Sequence, residues 1–164
     1  MLYSLIRINE SSPYRVGQYD EWTVHFETDL CIEYKVTFAI DDNIGIPKAY
    51  QLIVETFSNG KVPGPDFKIG KTIASILTAF FESDQEHILL YLCDPNDGRA
   101  AARNRKFCWW FEKYADMERL SMINKAISID NTTYYIAAIY HKQTKSAADL
   151  ETLFNSFIKN LQSK

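Results

Sequence analysis

The chain has 164 residues, a length suited to one domain, with 18 Lys and Arg against 21 Asp and Glu for a net charge of −3. Hydrophobic residues at 46% and charged residues at 24% exclude a disordered or low-complexity chain. No global basic field recruits nucleic acid or acidic lipid, no apolar run is long enough to span a bilayer, and the Met1-Leu2-Tyr3 start lacks the layout of a secretion signal.

Residues 2–8 read as a strand. Trp22, Val24 and Phe26 alternate with polar neighbours, as do Ile32, Tyr34, Val36 and Phe38. Period-two alternation gives each strand one apolar and one wet side. The Thr28-Asp29-Leu30 link is short enough for a hairpin, and residues 50–57 add a further strand, so an antiparallel meander with one covered face is expected. Residues 41–47 and 58–67 are breaks. The second holds two Pro and two Gly, and both read as loops inside a single domain spanning 1–164.

The period then changes. Ile69, Ile73, Ile76, Leu77, Phe80 and Phe81 form one helical stripe. Residues 87–93 are almost wholly apolar without alternation, the pattern of a central strand covered on both faces. A second helix is expected over 97–117. Residues 120–129 and 132–141 alternate again around Asp130-Asn131, a dipeptide that suits a tight turn. Last comes a helix capped by Ser146 and Asp149, with Leu150, Leu153, Phe154, Phe157, Ile158 and Leu161 on one face. The fold class expected is α+β: a single domain with a mostly antiparallel sheet of about seven strands covered by three helices.

Chemistry is concentrated in residues 93–111, where a buried strand ends at the turn Asp94-Pro95-Asn96-Asp97-Gly98 and a helix follows with Asp97 as its expected N-cap. At about 100° per residue, Arg99, Arg103, Lys106, Trp110 and Lys113 share one side of that helix, Ala100, Phe107, Phe111 and Tyr114 form the core stripe, and Arg105 lies off both. One reading makes the basic stripe a solvated face, with Arg103 or Arg99 pairing Asp94 or Asp97 to pin the turn. A second makes it an anion site where Gly98 and the Arg99 and Arg103 forks converge at a strand end. A third makes Trp109 or Trp110 the anchor of a partner surface.

Other motifs carry less. Gly70-Lys71-Thr72 looks like the end of a P-loop, but five residues rather than four separate Gly64 from Gly70, and Gly70 falls inside the helical stripe. His25, His87 and His141 are scattered, with His25 and His141 on apparently polar strand faces, so no metal site is expected. Cys31, Cys93 and Cys108 are odd in number and unpatterned, pointing to reduced thiols and a cytoplasmic location, and Cys108 reads as a small buried hydrophobe. The ten Tyr, ten Phe and three Trp fall mostly on apolar stripes, as core packing requires.

The series Cys93-Asp94, Asp97-Gly98-Arg99, Arg103, Arg105, Phe107 and Trp110-Phe111 resembles the signature of an uncharacterised bacterial domain family of about this length. The hairpin over 22–38 and the helix over 72–81 fit the same pattern. The resemblance implies no activity or cofactor. It marks Asp94, Asp97, Gly98, Arg99, Arg103, Arg105 and Trp110 as the positions to test first. The function expected is a non-enzymatic cytoplasmic binding or interaction module using residues 94–110, with a protein or a small anion as partner, neither nucleic acid nor membrane, and no cofactor. The alternative is an enzyme of unknown reaction on a phosphate- or carboxylate-bearing small molecule, with Asp94 or Asp97 and the arginines as its working groups.

The six apolar residues of the last helix amount to about 9–18 kcal/mol gross, at roughly 1.5–3 kcal/mol for each buried side chain. Truncation before Leu150 is therefore expected to abolish cooperative unfolding, measured by calorimetry.

Overall fold

The computed structural model describes residues 3–40, 42–144 and 147–163. Its first element corrects the expected strand over 2–8: Ser4 caps a short helix, α1 (Leu5–Ser11), its hydroxyl accepting from the Arg7 amide at 3.4 Å. Leu2 lies outside the described residues. So short a segment holds too few positions for period two to be told from period 3.6, and the serine decides. Ile8 is fully buried while Ile6 is exposed, one face of a helix rather than one face of a sheet.

β1 (Val16–Gln18), β2 (Thr23–Glu27), β3 (Glu33–Ile40) and β4 (Ala49–Phe57) pair antiparallel in chain order. Val24, Phe26, Tyr34, Val36, Phe38 and Leu52 thereby reach one face and are buried. Of the alternates, His25, Glu33, Lys35 and Thr37 take the other face, where none is buried.

From β4 the chain crosses through α2 (Phe67–Ser83) to β5 (Ile88–Cys93), which runs parallel to β4; such neighbours require a long connection. After α3 (Ala100–Tyr114), β6 (Leu120–Ile129) and β7 (Thr132–His141) close a mixed seven-stranded sheet in the order β1-β2-β3-β4-β5-β7-β6. Asp130 and Asn131 join the last pair with φ of 49° and 62°, the double positive φ that a two-residue hairpin needs.

Four helices cover this sheet, not three. The α2 stripe and Phe107 and Phe111 of α3 pack with Phe38, Leu89 and Ile139 on one face. Leu150, Phe154 and Ile158 of α4 (Ala147–Gln162) pack with Ile88, Leu90, Ile136 and Ala138 on the other. Asp149 sits in the first turn of α4, and the expected cap Ser146 lies outside the described residues.

β5 is central and covered on both faces as expected, Leu89 packing on one side and Ile88 and Leu90 on the other, and β7 beside it is covered likewise. Residues 136–139 are all buried because β7 lies between β5 and β6 with α3 and α4 on opposite sides, whereas Leu92 near the end of β5 is 41% exposed. His141, expected on a wet face, is buried for the same reason: at the end of β7 it has no polar face to occupy, and its Nδ1 accepts from the Gln143 amide at 3.1 Å.

His87 is buried just before β5, stacked on Phe80 at 4.6 Å and edge-on to Tyr50 at 4.9 Å. Desolvation holds its pKa below the ordinary 6.5, against the opposing pull of the Phe80 carbonyl and Asp84. The unfolded chain therefore binds the proton more readily, so His87 favours folding fully above about pH 6.5 and loses that contribution as pH falls through the lower folded value. The melting temperature is expected to fall on acidification below pH 6.5, and His87→Phe should flatten that slope in a pH series of thermal melts.

Candidate functional site

The turn between β5 and α3 is built by its own side chains. The Asp94 carboxylate accepts from the Asn96 amide at 2.9 Å, the Pro95 carbonyl accepts from the Gly98 amide at 3.0 Å, and Asp97 accepts from the Arg99 amide at 3.0 Å. Gly98 takes a φ of 70°, a conformation that side-chain-bearing residues adopt at a cost. That extra turn displaces Asp97 from the helix end. The N-cap of α3 is Arg99, which makes no side-chain cap, so Asp97 secures the turn and not the helix as expected from the sequence. At the other end α3 stops at Tyr114, short of the expected 117, because Asp116 turns the chain by accepting from the Glu118 amide at 3.1 Å.

Arg103 ties the two ends of the turn together. One guanidinium nitrogen donates to the Asp94 carbonyl at 2.8 Å and another pairs with the Asp97 carboxylate. The Arg99 amide and Arg103 hold the Asp97 carboxyl below the usual carboxylate range.

α3 is positioned over the sheet by Trp110. A methyl group built on Gly70 would lie 2.3 Å from the indole, so α2 admits the ring only because residue 70 lacks a side chain. Gly70 thus serves helix contact, not a phosphate loop. Tyr91 stacks on Phe107 at 4.1 Å, and burial pushes the Tyr91 phenol well up from its ordinary pKa.

Between α3, the amino end of β3 and the carboxyl halves of β4 and β5 lies a cleft of about 510 Å³. Tyr34, Val54 and Thr56 contribute from the strands, Trp110 and Phe107 from the helix, and Pro63 from the loop that follows β4. Arg99, Arg103, Lys106 and Asp97 also line it. Arg103 and Asp97 neutralise each other. Arg99 and Lys106 form no ion pair among the described residues, although the Asp66 carboxylate acts on Lys106 from beyond contact distance. Lys106 is an exposed residue overall, yet its ammonium lies 4.8 Å from the Trp110 ring centre, and desolvation lowers its pKa.

Of the residues singled out from sequence, Asp97, Arg99, Arg103 and Trp110 converge on this cleft, while Asp94 lines a neighbouring groove together with Arg103. Gly98 acts through the turn, and Arg105 is exposed and lines neither space. Tyr34, Thr56 and Tyr91 were not in the predicted set. Only the strand register brings them beside α3, although the helical stripe already placed Lys106 next to Arg103 and Trp110. Trp109 points elsewhere; it is 48% exposed and carries the Lys113 ammonium 4.5 Å from its ring centre. Cys93 is buried and Cys108 half-buried, and desolvation raises both thiol pKa values, so neither is activated as a thiolate.

The seat of Trp110 gives a direct test. Gly70→Ala is expected to destabilise the domain by about 1–3 kcal/mol through overpacking, and the cost should shrink in a Trp110→Ala background, where the methyl group has room. Urea denaturation of the two single variants and the double variant measures the coupling.

No curated protein and no solved structure matches the chain. A family of unknown function (DUF6169) matches residues 65–159, which run from the approach to α2 into α4 and contain all seven candidate residues chosen from sequence, Asp94 to Trp110, whereas the hairpin over 22–38 lies outside the match. The match spans more than half of the sequence and includes the turn, the basic helix and the strand that feeds it. The chain belongs to this family of unknown function, DUF6169.

Proposed function

We propose that the domain is a binding module for an anionic group, a carboxylate or a phosphate, held in the cleft between α3 and the sheet. One observation carries this reading: Arg99 and Lys106, neither in an ion pair among the described residues, line the same concave space as Tyr34, Tyr91 and Trp110. A volume of about 510 Å³ suits a small ligand or the end of a larger one. Partial desolvation of the Lys106 ammonium is unfavourable and Asp66 offsets it only in part, so an incoming anion relieves that cost while the guanidinium of Arg99 offers a bidentate contact. Arg103, fixed by the Asp94 carbonyl and by Asp97, adds guanidinium donors in a set orientation but, paired with Asp97, no net charge.

The carboxylates favour binding over acid–base chemistry. Asp97 is engaged by Arg103 and the Arg99 amide, and its pKa is lowered, whereas a general acid working near neutral pH needs a raised one. The pinned-turn and anion-site readings are compatible, because Arg103 secures the turn and leaves Arg99 and Lys106 to the cleft. The exposed thiol of Cys31 and the free Cys93 and Cys108 favour a reducing compartment such as the cytoplasm.

Thermal melts with inorganic phosphate and with succinate test the reading. A ligand at a hundredfold its Kd stabilises by about 2.7 kcal/mol, so the melting temperature of the wild-type chain is expected to rise by several degrees with one or both anions. Arg99→Ala combined with Lys106→Ala should remove that rise while changing the ligand-free melting temperature little. Equal shifts in both proteins, or none in the wild type, would refute the assignment.

A further inference from the structure

β4 and β5 pair over only part of their length. The parallel register joins residues 49–52 to residues 88–91; β4 then continues to Phe57 and β5 to Cys93 with no pairing between them. Residues 53–57 remain extended because β3 holds their other side, from Thr37↔Ile53 to Glu33↔Phe57. Their backbone groups that point away from β3 face a groove of about 390 Å³, bounded opposite by residues 91–94 and Arg103. A row of unpaired strand amides and carbonyls in the middle of a sheet is a template for another main chain.

The groove and the cationic cleft are one continuous surface. Val54, Thr56, Tyr91 and Arg103 line both. The cleft opens on the face covered by α3. Ile53, 36% exposed, and Leu92, 41% exposed, also border the groove. Ile53 lies on the opposite face from Val54, since neighbours in a strand alternate.

We propose that the groove binds an extended peptide segment in which acidic side chains alternate with apolar ones. Its main chain adds to the open edge of β4 over residues 53–57. Its acidic side chains enter the cleft toward Arg99 and Lys106, and its apolar side chains meet Ile53 and Leu92. This rests on the anion reading above and specifies the source of the anion as an Asp or Glu side chain. The linear run of backbone groups favours a peptide over a compact metabolite, because only another extended chain matches their spacing of about 3.3 Å per residue. Charge complementarity with Arg99 and Lys106 selects the acidic residues.

The test uses the full chain, labelled with ¹⁵N, and the blocked peptide acetyl-Val-Glu-Val-Glu-Val-amide followed by NMR. Addition is expected to shift the amide resonances of residues 53–57 and to slow their hydrogen exchange. The Gln analogue should bind at least about tenfold more weakly, the loss expected when a charge-assisted contact becomes neutral, and Arg99→Ala with Lys106→Ala should reproduce that loss. Peptides methylated on alternate backbone nitrogens should fail in the register that faces β4. Binding insensitive to methylation in either register, or shifts confined to other surfaces, would overturn the strand-addition proposal. If phosphate or succinate binds the cleft and millimolar peptide leaves residues 53–57 unmoved, the peptide proposal falls and the anion reading stands. If neither probe binds, both fall.

Discussion

The short parallel pairing between β4 and β5 governs the rest of the molecule. It forces the long crossover through α2, which supplies the glycine against which Trp110 seats, and that seat fixes α3 over the sheet. Because the pairing stops at Leu52 and Tyr91, the carboxyl halves of the two strands are left without each other. A continuous antiparallel sheet would have closed this gap with hydrogen bonds. Here the gap lies beside the basic face of α3, and the cleft, the groove and the arginine-pinned turn meet there.

The turn and the helix sort the charged residues into those that pin the chain and those that line the cleft. Asp94 and Asp97 fold back onto the backbone amides of Asn96 and Arg99, and Arg103 bridges them. Each of these groups is at least partly exposed, so the ion pair adds little stability by itself; its effect is to fix where the following helix begins. Arg99 and Lys106 take no part in this arrangement and line the cleft instead.

Much of the fold was legible in residue order. The alternation along β2 and β3, the unbroken apolar run of β5, the stripe of α2 and the Asp130-Asn131 turn each carry a local signal strong enough to stand without tertiary context. α1 and β1 carry too few residues for a period to emerge, and β1 is further diluted by Gly17, whose missing side chain makes room for the His25 ring. The error over His141 has a different origin: alternation in sequence says which residues share a face, and only the position of β7 within the sheet says that both of its faces are covered. The same limit applies at the site. Arg99, Arg103, Lys106 and Trp110 could be grouped from helical spacing alone. Tyr34 and Thr56 are 22 positions apart and meet through strand pairing, which no local pattern encodes.

The two sides of the cleft come from separate stretches of the chain. Tyr34, Val54 and Thr56 belong to the opening meander, before the family match begins at residue 65, whereas Arg99, Arg103, Lys106 and Trp110 fall within it. The basic wall therefore lies wholly inside the matched stretch, whereas the floor straddles its border, with Tyr91 of β5 inside it and the meander residues outside. A change before residue 65 can reshape the floor of the cleft without removing any of its cations.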